Sequence, residues 1–287
     1  MVLPTNSFEL KLYRKGLRFI AGLDEVGRGS LAGPLVAAAV IFPRKIKRNK
    51  LIRDSKTLSE RQRDEAFKII KKQALDIGVG MVSNRYIDKR GIADALKSAF
   101  LKALSKLSLK PDHLLIDGLI KPPYASPMTL LVKGDSRSVS IAAASIIAKV
   151  TRDRMMRTAG KKYKAYSFDT NKGYGTQRHF EGLNQAGITK FHRMSFLRNY
   201  LESVEKVWKN LYNIIYSMQI FKTTKGITKL AGENNQLLNP FIILEGLEVA
   251  DGKVVADLGC GGVGYFVFAA SKLVGDKGMV YAVDILK

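Results

Sequence analysis

Four carboxylates stand at the ends of three short apolar segments of the chain. They are Asp24 and Glu25 after residues 19–23, Asp117 after residues 114–116, and Asp135 shortly after residues 129–132. A carboxylate buried without a partner is costly, so natural chains keep such groups paired or bound to a cation. If the three segments are neighbouring strands, the acids form an oxygen-rich cage suited to Mg²⁺ or Mn²⁺. This pattern predicts metal-assisted phosphoryl transfer.

The elements that must position these acids follow from the pattern of apolar and breaker residues. Short runs rich in leucine and β-branched residues predict strands at 18–23, 35–42, 77–82, 113–116 and 129–132. Longer stretches predict helices at 61–73, 94–107, 139–149 and 195–216, with Ser59 capping the first and Thr176 capping a further helix. Strands that alternate with helices after an opening hairpin predict an α/β domain, with a mixed sheet flanked by helices.

The chain is strongly basic, with 48 Lys and Arg residues against 25 Asp and Glu and a net charge of +23. Residues 231–287 hold 4 basic and 7 acidic residues, which leaves 44 and 18, or +26, for residues 1–230. A positive field of this size favours polyanions, so nucleic acid or an anionic membrane surface is the expected partner class. A solvated basic surface without such a partner is the alternative.

The compartment is indicated by cysteine usage and by the absence of long apolar runs. Cys260 is the only cysteine, which excludes a disulfide within the chain and fits a reducing compartment. No apolar run reaches the roughly 18 residues that a membrane span needs, and the first residues lack the apolar core of a signal peptide. We therefore expect a cytoplasmic protein with no membrane association.

Each acidic motif is ambiguous when it stands alone. The alternatives are a helix cap or salt-bridged strand end for residues 24–25, a turn for residues 117–118, and a helix N-cap for residues 135–136. Only their joint occurrence favours a catalytic site. Asp153 lies in a basic helical segment and is expected to form an ion pair. The three histidines, His113, His179 and His192, are expected to be structural hydrogen-bonding groups and not metal ligands.

Seven motifs in a fixed order give the chain a resemblance to bacterial ribonuclease HII, the type 2 ribonuclease H family, over about residues 16–200. The motifs are D-E-x-G-R-G at 24–29, D-S-K-x-L at 54–58, I-D-G at 116–118, K-G-D-S at 133–136, A-A-A-S-I-I-A-K-V-T-R-D-R at 142–154, G-Y-G-T at 173–176 and H-R-x-S-F at 192–196. One short motif is weak evidence, whereas seven in order are specific.

The resemblance implies a ribonuclease H-like fold and hydrolysis of the RNA strand of RNA/DNA hybrids. It also implies nicking of duplex DNA 5′ to an embedded ribonucleotide, with 3′-hydroxyl and 5′-phosphate products, in ribonucleotide removal during DNA replication and repair. RNA/DNA hybrid and ribonucleotide-containing duplex DNA are thus the expected partners. Asp24, Glu25, Asp117 and Asp135 match the family's catalytic acids, which implies a two-metal site for Mn²⁺ or Mg²⁺.

The same resemblance implies the substrate contacts. Gly27, Arg28 and Gly29 match the turn that reads the ribonucleotide 2′-hydroxyl, and Tyr174 matches the tyrosine that packs on the sugar at the RNA–DNA junction. Further residues are expected along the duplex, where they would meet phosphates or line the acidic edge: Lys133, Ser136, Ser145, Lys149 and Arg152. Ser30 stands where the family more often has proline, so we expect a less rigid turn.

A different signal occupies the end of the chain. Residues 254–264 predict a strand that runs into a glycine-rich turn, and a second strand at 279–283 ends at Asp284. This segment resembles the opening Rossmann-like βαβ unit of class I S-adenosylmethionine-dependent methyltransferases, and a generic glycine-rich turn is the alternative. The resemblance implies cofactor contacts from four residues: Asp257, Gly259, Gly261 and Asp284. About 57 residues cannot close such a sheet, so we expect an incomplete unit without methyltransferase activity.

The expected division is a catalytic domain at 1–220, a linker at 221–235 and an incomplete Rossmann-like fragment at 236–287. A truncated fusion and two joined reading frames both account for the last segment. One rival function is a methyltransferase with a nucleic-acid-targeting front end, which requires the missing strands. The other rival is a non-catalytic nucleic-acid-binding module with structural acids, in which Asp24→Asn changes no activity.

Overall fold

The computed structural model of the chain describes residues 3–47, 49–198, 200–202, 253–258, 270, 272–276 and 279–283. The chain divides into two compact units, one made of residues 1–179 and 189–197 and the other of residues 180–188 and 198–287. The first unit contains all four of the acids that the sequence singles out.

The first unit is built on a mixed sheet. Its strands are β1 (Ile20–Val26), β2 (Leu35–Ile41), β3 (Asp76–Val82), β4 (His113–Asp117) and β5 (Met128–Leu131). The five strands lie in the order β3-β2-β1-β4-β5. β2 pairs antiparallel with both β1 and β3, whereas β1, β4 and β5 run parallel. The five predicted strands and the mixed sheet are thereby confirmed.

Helices separate most of the strands along the chain. They are α1 (Ser7–Arg14), α2 (Glu60–Gln73), α3 (Asn84–Leu104), α4 (Val139–Lys162), α5 (Phe168–Asn171) and α6 (Gln177–Ala186). Ser59 caps α2 as predicted, because its hydroxyl accepts from the Gln62 N–H while the Gln62 side chain accepts from the Ser59 N–H. This reciprocal capping box satisfies two backbone donors at once.

The sheet has a hydrophobic core on each face. Along β2, the odd-numbered residues pack in one cluster with Ala99 and Phe100 of α3. The even-numbered residues pack in a second cluster with Ala142 and Ile146 of α4. Side chains alternate between the faces of a strand, so an all-apolar strand such as β2 requires helices on both sides.

α4 lies unusually close to the central strand. Its residues Ala142–Ala144 are fully buried, as the predicted face of small side chains requires. A Cβ atom added to Gly22 of β1 would lie only 2.2 Å from the Ser140 carbonyl carbon. Helix and strand are therefore in backbone contact next to Asp24 and Glu25, which follow on the same strand.

Several element boundaries differ from the sequence prediction, and α4 continues to Lys162, well beyond residue 149. β1 continues through both acids, because its pairing with β2 extends to the Val26–Val36 pair. α3 begins at Asn84, capped by the Ser83 hydroxyl, ten residues before the predicted start. Gly91, with a φ of 79°, breaks the helical backbone inside α3. That break interrupts the apolar periodicity on which the prediction rested.

The second unit contains a pair of parallel strands, β6 (Val254–Leu258) and β7 (Met279–Val283), at the two positions where the sequence predicts strands. The predicted helix at 195–216 begins instead with a 3₁₀ turn at Met194–Phe196. Most of that predicted helix and the whole predicted linker lie outside the described residues. In the described part of the chain, no helix is long and apolar enough to cross a membrane.

Candidate active site

The four acids lie at one edge of the sheet, where the three parallel strands end. Asp24 and Glu25 are carried by β1, and Asp117 is the last residue of β4, next to Leu131 of β5. Asp135 follows β5 in the 3₁₀ turn Gly134–Ser136. Because β1 and β4 pair in parallel with Leu23 opposite Ile116, Asp24 and Asp117 occupy equivalent places on neighbouring strands.

Hydrogen bonds hold these side chains in place. Asp24 Oδ1 accepts from the Glu25 N–H at 2.7 Å, and Asp117 Oδ1 accepts from the Gly134 N–H at 2.6 Å. The second bond ties the end of β4 to the turn that carries Asp135. The Ser145 hydroxyl of α4 lies 3.0 Å from the Ser55 hydroxyl and acts to lower the pKa of the neighbouring Asp24. Helix, strands and turn thus meet around the acids.

Burial and mutual repulsion make the ionised forms of these carboxylates less favourable. Burial, followed by the charges of Glu25 and Asp117, raises the pKa of Asp24 well above its ordinary value. Burial and Asp117 raise the pKa of Glu25 to about 7, against the opposing effect of Arg28. Burial and the neighbouring acids Asp54 and Asp117 raise the pKa of Asp135. The sheet edge therefore carries more negative charge than its surroundings neutralise.

Lys56 lies near this acidic edge, a position that was not predicted from the sequence. It lies in the 3₁₀ turn Ser55–Thr57, whose Lys56 N–H is capped by the Asp54 side chain. Burial opposes its charge, but the carboxylates Asp135, Asp54, Asp24 and Asp117 raise its pKa. The D-S-K-x-L motif was the available signal, since it places a lysine in a short polar turn.

A hard divalent cation fits this set of groups. Carboxylate oxygens are the ligands that Mg²⁺ and Mn²⁺ prefer, and a cation would relieve both the burial and the mutual repulsion that raise the pKa values of Asp24, Glu25 and Asp135. Among the residues that the structure describes, no three His, Cys, Asp or Glu side chains are arranged to hold an ion as they stand.

The glycine-containing turn at residues 27–29 follows β1 directly. Gly27 has a φ of 88°, and a Cβ atom there would lie 2.2 Å from Arg152 Nε. Arg28 and Gly29 are exposed, and a Cβ on Gly29 would meet no atom within 4 Å. Ser30 is fully buried and donates to the Gly27 carbonyl oxygen. The turn is therefore held by a serine hydroxyl in place of a proline ring.

The expected phosphate contact by Arg152 is wrong. Its side chain is fully buried and donates to the carbonyl oxygens of Pro34, Ala32 and Lys172 and to the Ser30 hydroxyl. A guanidinium can satisfy several acceptors at once. Here it does so inside the protein, where it cannot meet the backbone of a duplex.

The remaining residues that the sequence predicts as substrate contacts differ in accessibility. Lys133 is exposed and has a φ of 54°, whereas the Ser136 hydroxyl is bonded to the Lys133 carbonyl oxygen at 2.8 Å. Lys149 pairs with Asp153 at 2.8 Å, which confirms the predicted role of Asp153. Ser145 is buried, since it faces Asp24.

Tyr174 stands beside the turn that contains Gly27. It is partly exposed, and its ring centre lies 5.5 Å from the Arg152 guanidinium carbon. The carbonyl oxygen of the preceding Gly173 accepts from the N–H groups of Leu31 and Ala32. The structure therefore brings Tyr174 and the turn at 27–29 together on a common support.

The histidines all have hydrogen-bond partners within the protein, as expected for structural groups. His179 and His192 are fully buried with their Nε2 atoms 3.1 Å apart, and His113 Nε2 lies 2.8 Å from Thr129 Oγ1. Of the predicted S-adenosylmethionine contacts, Gly259, Gly261 and Asp284 lie outside the described residues.

Comparison with known proteins identifies the family. The family model for ribonuclease HII matches residues 21–199. Curated relatives include a ribonuclease HII of Clostridioides difficile, 48% identical over 68% of this chain and 76% of its own length. A ribonuclease HII of Bacillus cereus is 51% identical over 68% of this chain and 75% of its own length.

Two solved structures with similar folds support the same family assignment. The ribonuclease H2 of Pyrococcus horikoshii has a TM-score of 0.56 and 28% identity, and covers 66% of this chain and 99% of its own. Ribonuclease HII of Archaeoglobus fulgidus, solved in a complex with PCNA, has a TM-score of 0.52 and 30% identity, and covers 61% of this chain and 94% of its own. The first unit has the ribonuclease H-like fold, and the chain belongs to the ribonuclease HII family.

Proposed function

We propose that the chain is an endoribonuclease that hydrolyses the RNA strand of RNA/DNA hybrids and nicks duplex DNA 5′ to an embedded ribonucleotide. The products carry 3′-hydroxyl and 5′-phosphate ends, and the reaction serves ribonucleotide removal in the cytoplasm. The observation that carries this proposal is the convergence of four acids on one sheet edge of a ribonuclease HII fold. The two curated relatives bear the same family name.

Asp24, Glu25, Asp117 and Asp135 are the proposed ligands of Mn²⁺ or Mg²⁺. A bound pair of such ions supplies charge neutralisation, an activated water and stabilisation of the leaving 3′-oxygen. The protein's part is to bring the four carboxylates together, with Asp24, Glu25 and Asp117 on β1 and β4 and Asp135 in the turn after β5. Side-chain movement on metal binding would complete the ligand set. Without such ions, the acids would repel the substrate phosphate.

The turn at 27–29 and Tyr174 are proposed to select the substrate. The exposed backbone of Gly29 allows a sugar to approach closely, and the 2′-hydroxyl distinguishes RNA from DNA there. Tyr174 offers a ring face to the sugar at the junction. Lys133 is free to meet a backbone phosphate, a contact that positions the duplex without reading its sequence. Ser136, Ser145 and Lys149 are proposed to support the same edge.

The test uses a labelled DNA duplex that contains one ribonucleotide, incubated with the protein and Mn²⁺ or Mg²⁺. We expect a nick 5′ to the ribonucleotide, and loss of the nick with EDTA or in the Asp24→Asn variant. A matched control is Asp64→Asn, which removes a surface carboxylate paired with Arg154. A duplex that is bound but left intact under every metal condition would instead establish the non-catalytic binding module.

We also propose the domain division at 1–220, 221–235 and 236–287. The family match to residues 21–199 supports it, and retention of nicking by residues 1–220 expressed alone is the test. The parallel pairing of β6 with β7 supports a Rossmann-like character for the last segment. Binding of S-adenosylmethionine there, through Asp257 and the glycines that follow, would require a complete unit, so calorimetry on the full chain should detect no binding.

A further inference from the structure

Two fully buried arginines lie behind the turn at 27–29. Arg193 donates through Nε to the Gly33 carbonyl oxygen at 3.0 Å and through Nη1 to the Arg28 carbonyl oxygen at 3.1 Å. Its own backbone N–H donates to the Leu31 carbonyl oxygen. One side chain, 165 residues further along the chain than Arg28, therefore spans the whole turn.

Arg152 connects the same turn to the segment that carries Tyr174. Its Nη2 donates to the Ser30 hydroxyl at 2.8 Å, and that hydroxyl donates to the Gly27 carbonyl oxygen. Its Nη1 donates to the Lys172 carbonyl oxygen at 2.9 Å, two residues before Tyr174. A single rigid guanidinium thus sets the separation between the turn and the tyrosine.

Neither arginine is engaged by a carboxylate within ion-pair distance among the described residues. Their charges are balanced by backbone carbonyl groups of the two loops. Burying a charge in this way is costly, and Arg193 Nη2 is left without a hydrogen-bond partner in the described part of the chain. Stability alone does not account for such an arrangement, whereas a need for fixed loop geometry does.

Arg193 also determines which backbone groups of the turn face outwards. In a trans peptide the C=O and the N–H point in opposite directions. Because the Arg28 carbonyl points inwards to Arg193, the N–H of Gly29 points to the open side of the turn. There, a Cβ atom would meet nothing within 4 Å. Arg193 therefore presents a backbone donor to any sugar hydroxyl that approaches.

We propose that Arg152 and Arg193, here called the arginine clamp, are positioning residues that favour duplexes with a single ribonucleotide over long hybrids. The clamp fixes the distance between the 2′-hydroxyl-reading turn and Tyr174. An embedded ribonucleotide requires both contacts at once, because the nucleotide beyond it is DNA. A long hybrid presents RNA on both sides and requires only the turn. This inference rests on the proposed function.

The experiment compares kcat/KM of the full chain on two substrates, a DNA duplex with one ribonucleotide and a continuous RNA/DNA hybrid. The variants are Arg152→Lys, Arg193→Lys and Ser30→Ala, and the control is Arg154→Lys. Arg154 lies on the same helix but pairs with Asp64 at the surface. Melting temperature and the Mn²⁺ concentration that gives half-maximal thermal stabilisation are measured for each protein.

We expect the lysine variants to lose about tenfold in kcat/KM on the single-ribonucleotide duplex, the loss typical of one charged hydrogen bond. Activity on the long hybrid, which also needs the turn, should fall by a smaller factor than activity on the single-ribonucleotide duplex, and the Mn²⁺ response should change less than about threefold. Ser30→Ala should show the same selective loss, which keeps the test decisive if a lysine variant fails to fold. Arg154→Lys should match the wild-type chain.

Two outcomes overturn the proposal while leaving the proposed function intact. In one, the active wild-type chain and the clamp variants cleave the single-ribonucleotide duplex equally well. In the other, both substrates lose activity by the same factor as the melting temperature falls, which identifies a purely structural role. A wild-type chain that cleaves neither substrate with Mn²⁺ or Mg²⁺ contradicts the proposed function itself, and the clamp proposal with it.

Discussion

Asp24 is 5% exposed and lies beside two other carboxylates, so its charge is costly without a cation. We predict that Asp24→Asn increases the unfolding free energy of the metal-free protein at pH 8 by about 1 kcal/mol. This gain should appear as a higher melting temperature. The asparagine side-chain oxygen can still accept the bond from the Glu25 N–H. The same variant should lose both the Mn²⁺-induced thermal shift and the nicking activity.

Thermal unfolding in EDTA and in a Mn²⁺ titration tests this prediction, with Asp64→Asn as the control. A fall in the metal-free melting temperature of Asp24→Asn would show that the carboxylate stabilises the fold. It would contradict the assignment of the group as a ligand held ready for a cation.

The buried pair of His179 and His192 predicts a pH dependence of stability. Burial and the neighbouring His179 lower the pKa of His192 to about 4, whereas a histidine in the unfolded chain protonates near pH 6.5. The unfolded chain thus binds a proton that the folded chain excludes, and stability is lost as the pH falls from 6.5 towards 4. The loss should be on the order of 2 kcal/mol.

Urea unfolding between pH 7 and pH 5 measures this effect by comparing the wild-type chain with His192→Gln. The variant should show a smaller loss of unfolding free energy on acidification, because it has no imidazole to protonate in the unfolded state. Identical slopes for the two proteins would contradict the prediction.

The roles of single residues were only partly accessible from the sequence. The four acids could be found because each follows a recognisable apolar run. Arg152 was misread as a phosphate contact, since arginine is rarely fully buried and its neighbours Lys149 and Arg154 do reach the surface. The four acceptors of its guanidinium lie between 20 and 122 residues away, so no local pattern reveals them.

At the scale of elements, the close contact between α4 and β1 predicts a strong steric effect. Gly22→Ala should destabilise the protein by about 1–3 kcal/mol, the usual cost of overpacking, because its Cβ would lie 2.2 Å from the backbone of Ser140. Gly29→Ala, where the added atom meets nothing within 4 Å, is the control and should change stability by less than about 0.5 kcal/mol.

Chemical denaturation of the two variants and the wild-type chain measures this difference. Equal stabilities for Gly22→Ala and Gly29→Ala would mean that α4 shifts away from the sheet at no cost. Because α4 packs against the strand that carries both Gly22 and the acids Asp24 and Glu25, nicking activity should fall together with stability in Gly22→Ala.

Element types were predicted better than element ends. All five strands of the sheet follow from short apolar runs, and the α2 cap follows from Ser59. The end of β1 was placed at residue 23 because a charged pair normally ends a buried strand. Pairing with β2 carries the strand to Val26 instead. The start of α3 was missed because Gly91 breaks the periodicity.

At the scale of the whole molecule, the net charge of +23 predicts salt-dependent binding to duplexes. With about four phosphate contacts, affinity for a non-cleavable duplex should fall roughly a hundredfold between 50 and 200 mM salt. Lys133→Gln removes one proposed contact and should lower the slope of log affinity against log salt by about one unit.

Fluorescence anisotropy in a salt series without divalent ions measures these slopes. The control is Lys97→Gln, which removes an exposed lysine that pairs with Asp94 on α3. A slope for Lys133→Gln equal to that of the wild-type chain would show that Lys133 does not contact the duplex.

The arginine clamp joins residues that the ribosome makes at very different times. Every proposed metal ligand has been synthesised by residue 135, whereas the turn at 27–29 is completed only by Arg193. At about 5–20 residues per second, this leaves a nascent chain for several seconds with its acids but without the proposed substrate-reading turn. In a synchronised translation reaction, ribonucleotide selectivity should accordingly appear only after Arg193 has been added. Competence to cut therefore arrives late in the life of a new chain, after its proposed metal ligands have been synthesised.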